Sequence, residues 1–118
     1  MKDYNELEKN VLDWADDKGI LEKATPLAQA NKTLEEVNEL IEAVTAQQNN
    51  LPNFVNSKGK LVNTEAEIQD AFGDILVTII IGAELQYLEL IKCLESAYNV
   101  ISKRNGQMID GMFVKNEE

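Results

Sequence analysis

Along this chain apolar residues return at steps of three and four in several separate stretches, the spacing that aligns them on one face of a helix. Tyr4, Leu7, Val11 (with Leu12) and Trp14 predict a first helix from about Asp3 to Asp17. Lys18-Gly19 ends it, since glycine readily takes a left-handed conformation, and Ile20 and Leu21 are expected to fold back onto the core. Thr25-Pro26 opens a second helix, a capping residue followed by proline at the first helical position. Leu27, Ala30, Leu34, Val37, Ile41 and Val44 mark its apolar face, and it fades near Gln48.

A third helix starts at Thr64, with Ile68, Ala71 (beside Phe72), Ile75, Ile79 and Ala83 at helical spacing. From Ile75 to Ile81 the chain is apolar nearly all round. Those β-branched residues could form a strand taken alone, but the helical period on both sides favours a buried helix. A fourth helix covers roughly Glu89 to Lys103 and ends before Asn105-Gly106; the pattern does not mark where the third stops and the fourth begins. Between the second and third helices, Asn49 to Asn63 contains Pro52, Ser57-Lys58-Gly59 and several asparagines. That composition predicts a long loop, with a short extended piece around Leu61-Val62. The tail Met108 to Lys115 is too apolar to lie free and is expected to pack on the body or on a neighbouring subunit. The pattern as a whole predicts an all-α chain, a bundle of four to five helices in a single domain over residues 1–118.

Composition narrows the chemistry. With 118 residues, 44% of them hydrophobic, the chain can build a modest core. It carries 21 acidic and 11 basic residues, a formal net charge of −10. That balance argues against a nucleic acid polymer as partner, because phosphate contacts need clustered Lys and Arg, and against anionic membrane surfaces. A polyphosphate is still open to it if a divalent cation bridges the like charges. There is no histidine, which removes most zinc sites, Ser-His and Cys-His catalysis, and the usual base near neutral pH. Cys93, the single cysteine, cannot form an internal disulfide and fits a reducing cytoplasm. It sits among Leu90, Ile91 and Leu94, which makes it a small core residue rather than a nucleophile. Lys2, Asp3 and Glu6 spoil any secretory leader, and the longest apolar run, Ile75 to Ala83, falls short of the roughly 20 residues a bilayer takes. The expectation is a soluble cytoplasmic protein.

Two acidic clusters stand out against this background. Glu35-Glu36-Val37-Asn38-Glu39 lies on the second helix, where residues three apart are neighbours, so Glu36 and Glu39 can present two carboxylates to one point. Glu67, Asp70 and Asp74 form one stripe on the third. Mg²⁺ takes hard oxygen ligands and keeps waters or substrate phosphates, and facing helices with such pairs can supply it. A plainer reading competes: Thr33 to Glu36 and Thr64 to Glu67 both fit a capping box, in which the glutamate satisfies a helix N-terminus. Glu35 and Glu42 read as solvated face residues. Asp74 precedes the apolar run, where a buried carboxylate needs a partner, either a metal ion or a Lys or Arg from elsewhere. Gly73 beside it suggests close helix approach.

With these clusters the sequence resembles the all-α nucleoside triphosphate pyrophosphohydrolases of the MazG-like group, in particular small single-domain members of phage or prophage type. Their hallmark is EExxE, a spacer and ExxD, matched here by Glu35-Glu36-Val37-Asn38-Glu39 and by Glu67-Ile68-Gln69-Asp70. The family reads Glu-Leu-Gly-Asp before its apolar run, whereas this chain has Ala71-Phe72-Gly73-Asp74; Asp70, one residue earlier, is the substitute for the missing glutamate. The stretch Tyr98 to Met108, with Gly111-Met112-Phe113-Val114-Lys115, is similar to the C-terminal pattern of those members, and so is Trp14 with Asp17-Lys18-Gly19-Ile20.

The resemblance implies Mg²⁺-dependent hydrolysis of a nucleoside triphosphate between the α- and β-phosphates, giving the monophosphate and pyrophosphate. It implies that Glu36, Glu39, Asp70 and Asp74 hold Mg²⁺, with Mn²⁺ also suited to oxygen-only ligands, and that Glu67 is a further ligand or the water-orienting base. Glu36, Glu67 and Asp74 would then carry the catalysis. Asn99, Lys103 and Arg104 are candidates for phosphate contact, or else an ordinary polar turn. Trp14 or Tyr98 could stack on the base, though both sit at core spacing. The resemblance also implies a homodimer or homotetramer whose subunits complete the bundle, in keeping with the all-round apolar third helix and the apolar tail. The alternative is a non-catalytic nucleotide-binding or helical assembly module, for which Ala71 is the best support. A Ca²⁺-binding structural protein is weak, since no twelve-residue loop of alternating acids is present.

Overall fold

The computed structural model describes residues 1–116. The chain divides into two compact units, Met1–Tyr87 and the part from Leu88 onward. The first holds helices α1 (Tyr4–Asp17), α2 (Ile20–Lys23) and α3 (Pro26–Gln48), a hairpin of strands β1 (Asn53–Val55) and β2 (Leu61–Asn63), and helix α4 (Thr64–Leu85). The second holds helix α5 (Leu90–Ile101) and a hairpin of β3 (Gly106–Ile109) and β4 (Met112–Lys115). The chain is mainly helical, with two small antiparallel strand pairs that helical periodicity does not predict.

Local chemistry sets the helix ends. Asp3 Oδ1 accepts from the Glu6 amide at 2.9 Å, capping α1, and Gly19 at φ 75° lets α2 begin at once. Thr25 Oγ1 accepts from the Ala28 amide at 3.2 Å, with Pro26 at the first position of α3. The cap of α4 is Asn63, whose Oδ1 accepts from the Ala66 amide at 3.0 Å. Thr64 is already inside the helix: its hydroxyl donates to the Leu51 carbonyl at 2.6 Å and its amide to Pro52. Thr33 lies in mid-α3, so neither capping box forms and neither Glu36 nor Glu67 is a capping residue. The boundary that the sequence leaves unmarked falls after Leu85, where Tyr87 turns the chain at φ 58°.

Within the first unit α3 and α4 are the principal packed pair, and α1 also packs on α4. The core is made largely of small residues: Ala15, Ala43, Ala46 and Ala71, with Ile80 and Ile81. Small side chains let helix backbones approach closely, and buried polar groups need partners in so tight a seam. Here Gln29 Nε2 donates to the Thr78 carbonyl at 3.1 Å, and Thr33 Oγ1 donates to Thr78 Oγ1 at 2.9 Å.

The face of α3 that is buried carries Gln29, Glu36, Ala43 and Ala46. The apolar stripe the sequence marked is instead turned out, with Leu27, Leu34, Ile41 and Val44 exposed. Likewise Leu76 and Ile79 of α4 are exposed, so this helix is not buried all round, and Gly73 has open space where a Cβ would stand. The close approach expected at Gly73 is absent. One chain supplies too few elements to cover both faces of two long helices, and the apolar stripe is the face left over.

In the second unit α5 has no buried residue, and Ile91, Leu94, Tyr98 and Ile101 are exposed together with Cys93, which is not the core residue expected. The tail is an antiparallel hairpin pairing Met108 with Phe113 and Ile109 with Met112. Its two turn residues, Asp110 and Gly111, both have positive φ (50° and 80°), the type I′ geometry that matches strand twist. A Cβ at Gly106 would run into the Val114 carbonyl, the Phe113 ring and Lys115. Gly106→Ala is therefore expected to loosen this hairpin, read as faster hydrogen exchange of the Gln107 and Val114 amides, which face each other across the strands; unchanged exchange would show that the strands can part at no cost. Among the described residues no helix is long and apolar enough to cross a membrane.

Candidate functional site

The acids of α3 and α4 meet at the end of the helix pair nearest the β1–β2 hairpin. Glu39 from α3 and Glu67, Asp70 and Asp74 from α4 line a single cleft of about 220 Å³, closed on its third side by Asn56, Lys58 and Lys60 of the hairpin. On α4, spacings of three and four bring Glu67, Asp70 and Asp74 to the same side, as the sequence predicts, whereas of the α3 pair Glu36 and Glu39 only Glu39 is in the lining. Ala71 also lines the cleft, so the departure from the Glu-Leu-Gly-Asp pattern falls in the site itself.

Glu36 lies one turn before Glu39. It is buried; Oε1 is 3.4 Å from Lys32 Nζ, and Oε2 is buried without a hydrogen-bond partner. Burial, and then the neighbouring Glu39 carboxylate, hold the Glu36 carboxyl above the usual carboxylate range. Glu39 moves the other way, first through the Lys58 ammonium bonded to it. Asp74 is raised, first by desolvation in the cleft and then by the charges of Asp70 and Glu39. Its surface is nonetheless exposed. The deeply buried carboxylate expected there is not found, and Asp74 makes no ion pair among the described residues.

The cations were the part that sequence reasoning missed. Lys58 Nζ lies 2.9 Å from Glu39 Oε1 and 3.8 Å from Glu35 Oε1. Lys32 Nζ lies 3.4 Å from both Glu35 Oε1 and Glu36 Oε1. Lys32, one turn before Glu36, could have been found from the i,i+4 rule. Lys58 could not, because only the hairpin fold carries it to α3.

The other candidates lie elsewhere. Asn99 is on α5, and Lys103 and Arg104 are in the turn before β3, all exposed and all in the second unit. Trp14 of α1 and Tyr98 of α5 are exposed rather than core.

A divalent cation is compatible with what the first unit presents. Its donors are hard carboxylate oxygens from two helices, and one of them, Glu36 Oε2, is buried and unsatisfied. Among the described residues no three of these side chains converge tightly enough to form a ready metal cage, and lysine ammonium groups lie against the α3 acids.

No family model matches the sequence, and no solved structure matches it. A protein of Haemophilus phage HP1 (strain HP1c1), described as an uncharacterized 18.2 kDa protein in the rep-hol intergenic region, is 32% identical over 91 residues. The match covers 77% of this chain but only 46% of that protein, so the chain spans about half the length of the relative it matches.

Proposed function

We propose that this chain is a Mg²⁺-dependent nucleoside triphosphate pyrophosphohydrolase of the MazG-like group, cleaving between the α- and β-phosphates to yield the monophosphate and pyrophosphate. The observation that carries this reading is the shared cleft: Glu39, Glu67, Asp70 and Asp74 reach one space from two helices, with the unsatisfied Glu36 beside it. Glu36, Glu39, Asp70 and Asp74 would hold the cation, Mg²⁺ or Mn²⁺. When bound, it neutralises the triphosphate and activates water. Glu67, half-buried at the cleft wall, would be a further ligand or would orient the attacking water and accept its proton. Asn99, Lys103 and Arg104 are proposed phosphate contacts and Trp14 a proposed base contact. The exposed apolar faces of α3, α4 and α5 support a homodimer or homotetramer. Sedimentation as a monomer at assay concentration would count against that assembly. The single Cys93 fits a reducing cytoplasm as the working place, and the net charge of −10 argues against a nucleic acid polymer or an anionic membrane as partner.

The test is pyrophosphate release from a panel of ribo- and deoxyribonucleoside triphosphates, with Mg²⁺ and with a chelator. Metal-dependent pyrophosphate with monophosphate is expected, and the ranking of bases names the substrate. No release from folded, metal-supplied protein would favour a second reading, a non-catalytic nucleotide-binding or assembly module. Ala71 in the cleft wall is the observation on that side.

A further inference from the structure

The hairpin loop is built before it is loaded. Asn56 Oδ1 accepts from the amides of Lys58 and Lys60, at 3.0 Å each. The Asn56 amide donates to the Lys60 carbonyl and the Gly59 amide to Asn56, with Gly59 at φ 78°. Ser57 donates its amide to Glu42 Oε1 at 2.8 Å, fastening the loop to α3. None of these contacts uses an ammonium group. The loop is thus fixed by backbone and Asn56, and the Lys58 ammonium, on a side chain 62% exposed, takes no part in fixing it.

That charge stands where a cation belongs. Lys58 Nζ is bonded to Glu39, a carboxylate the functional reading assigns to the metal. An ammonium and a divalent ion cannot both hold that oxygen at close range without repelling each other. On the same wall Lys60 faces the cleft and forms no ion pair among the described residues. Carboxylates on two walls and ammonium groups on the third are what a metal-bound polyphosphate presents in reverse: metal toward the acids, uncovered phosphate oxygens toward the lysines.

We propose that Lys58 is the resting counter-ion of this site and becomes a phosphate ligand when a divalent cation displaces it from Glu39. The inference rests on the pyrophosphohydrolase reading for the identity of the site, but it predicts opposite effects of one substitution on two ligands. Removing the ammonium frees Glu39 for the metal and strips the polyphosphate of a partner.

The experiment measures Mn²⁺ binding by electron paramagnetic resonance without nucleotide, and inorganic tripolyphosphate binding by calorimetry at saturating Mn²⁺. Lys58→Ala is expected to bind Mn²⁺ about fivefold more tightly than the wild type, the scale of one exposed ion pair. It is expected to bind tripolyphosphate about tenfold more weakly, the scale of one charge-assisted contact. Lys9→Ala, which removes the same charge from the exposed Lys9–Asp13 pair of α1, should leave both unchanged and so separates local pairing from net charge. Mn²⁺ affinity that is unchanged or lower in Lys58→Ala, or tripolyphosphate affinity that is retained, overturns the proposal. Wild-type protein that binds no Mn²⁺ overturns it together with the functional reading. The predicted pair of shifts without any pyrophosphate release would uphold the role of Lys58 and remove only the catalytic assignment.

Discussion

Asp74→Asn should remove pyrophosphate release almost completely, by about three orders of magnitude, and leave the fold as it was. The first half follows from the role proposed for Asp74: an amide supplies a neutral oxygen where the site needs a charged one, and such groups commonly carry 10²–10³-fold or more. The second half follows from its place. Asp74 is exposed and makes no ion pair among the described residues, so nothing in the first unit leans on it. Its carboxyl, moreover, is held above its usual range by desolvation and by the charges of Asp70 and Glu39. Removing the charge therefore relieves repulsion in the metal-free protein. The checks are the pyrophosphate assay beside circular dichroism and thermal unfolding. Retained activity would sink the assignment, and a variant that unfolds would show Asp74 to be structural after all.

Glu36→Gln should do two things that rarely go together: raise the stability of the metal-free protein and abolish its metal-dependent activity. Glu36 is buried with one oxygen unsatisfied, and a buried unpaired group costs about 1–3 kcal/mol. The pH dependence gives the sign. Burial, and then Glu39, raise the folded-state value above the ordinary 4.5, so the folded chain binds more protons than the unfolded chain as pH rises from that value. Stability contributed by protonated Glu36 is fully present below 4.5 and is lost as pH climbs through the raised value. Glu39, lowered first by the Lys58 hydrogen bond, works in the opposite direction. The difference between wild type and Glu36→Gln therefore isolates the effect, rather than the wild-type curve alone. At neutral pH in a chelator the variant should melt higher, by about 4–8 °C for a stability gain of 1 kcal/mol in a domain of this size. The gap should close toward pH 4. A variant that melts lower at neutral pH would mean that Lys32 satisfies Glu36 better than the geometry indicates.

Much of this molecule can be read from its spacing. The long helices, the cap at Thr25 and the carboxylates on α3 and α4 all follow from local rules. What does not follow is which face is used. The apolar stripe of α3 marks residues that gain from burial, but the chain buries Gln29, Glu36, Ala43 and Ala46 instead. Gln29 finds the Thr78 carbonyl and the alanines admit a close neighbour, and neither fact is a property of α3 alone. Strand β2 was legible as the extended piece around Leu61-Val62, but its pairing was hidden for a related reason. Asn53 and Asn56 read as loop residues, and the register that pairs Phe54 with Val62 is long-range. Lys58 was lost with that register, and with it the positive wall of the cleft. The expectation of a buried Asp74 failed because it assumed that apolar neighbours in sequence are neighbours in space.

The alanine seam beneath the cleft acts as a spacer gauge. Glu39 and Asp74 are attached to helices whose separation is set by Ala43, Ala46 and Ala71, where one added methylene is felt as strain. The span between the two sets of carboxylates is therefore fixed by side chains that carry no charge. Ions differ in the span they accept, about 2.0–2.1 Å to oxygen for Mg²⁺ and 2.3–2.6 Å for Ca²⁺. For the proposed cation, ionic-radius preference would then be written in methyl groups, and a valine in the seam would retune it without touching an acid.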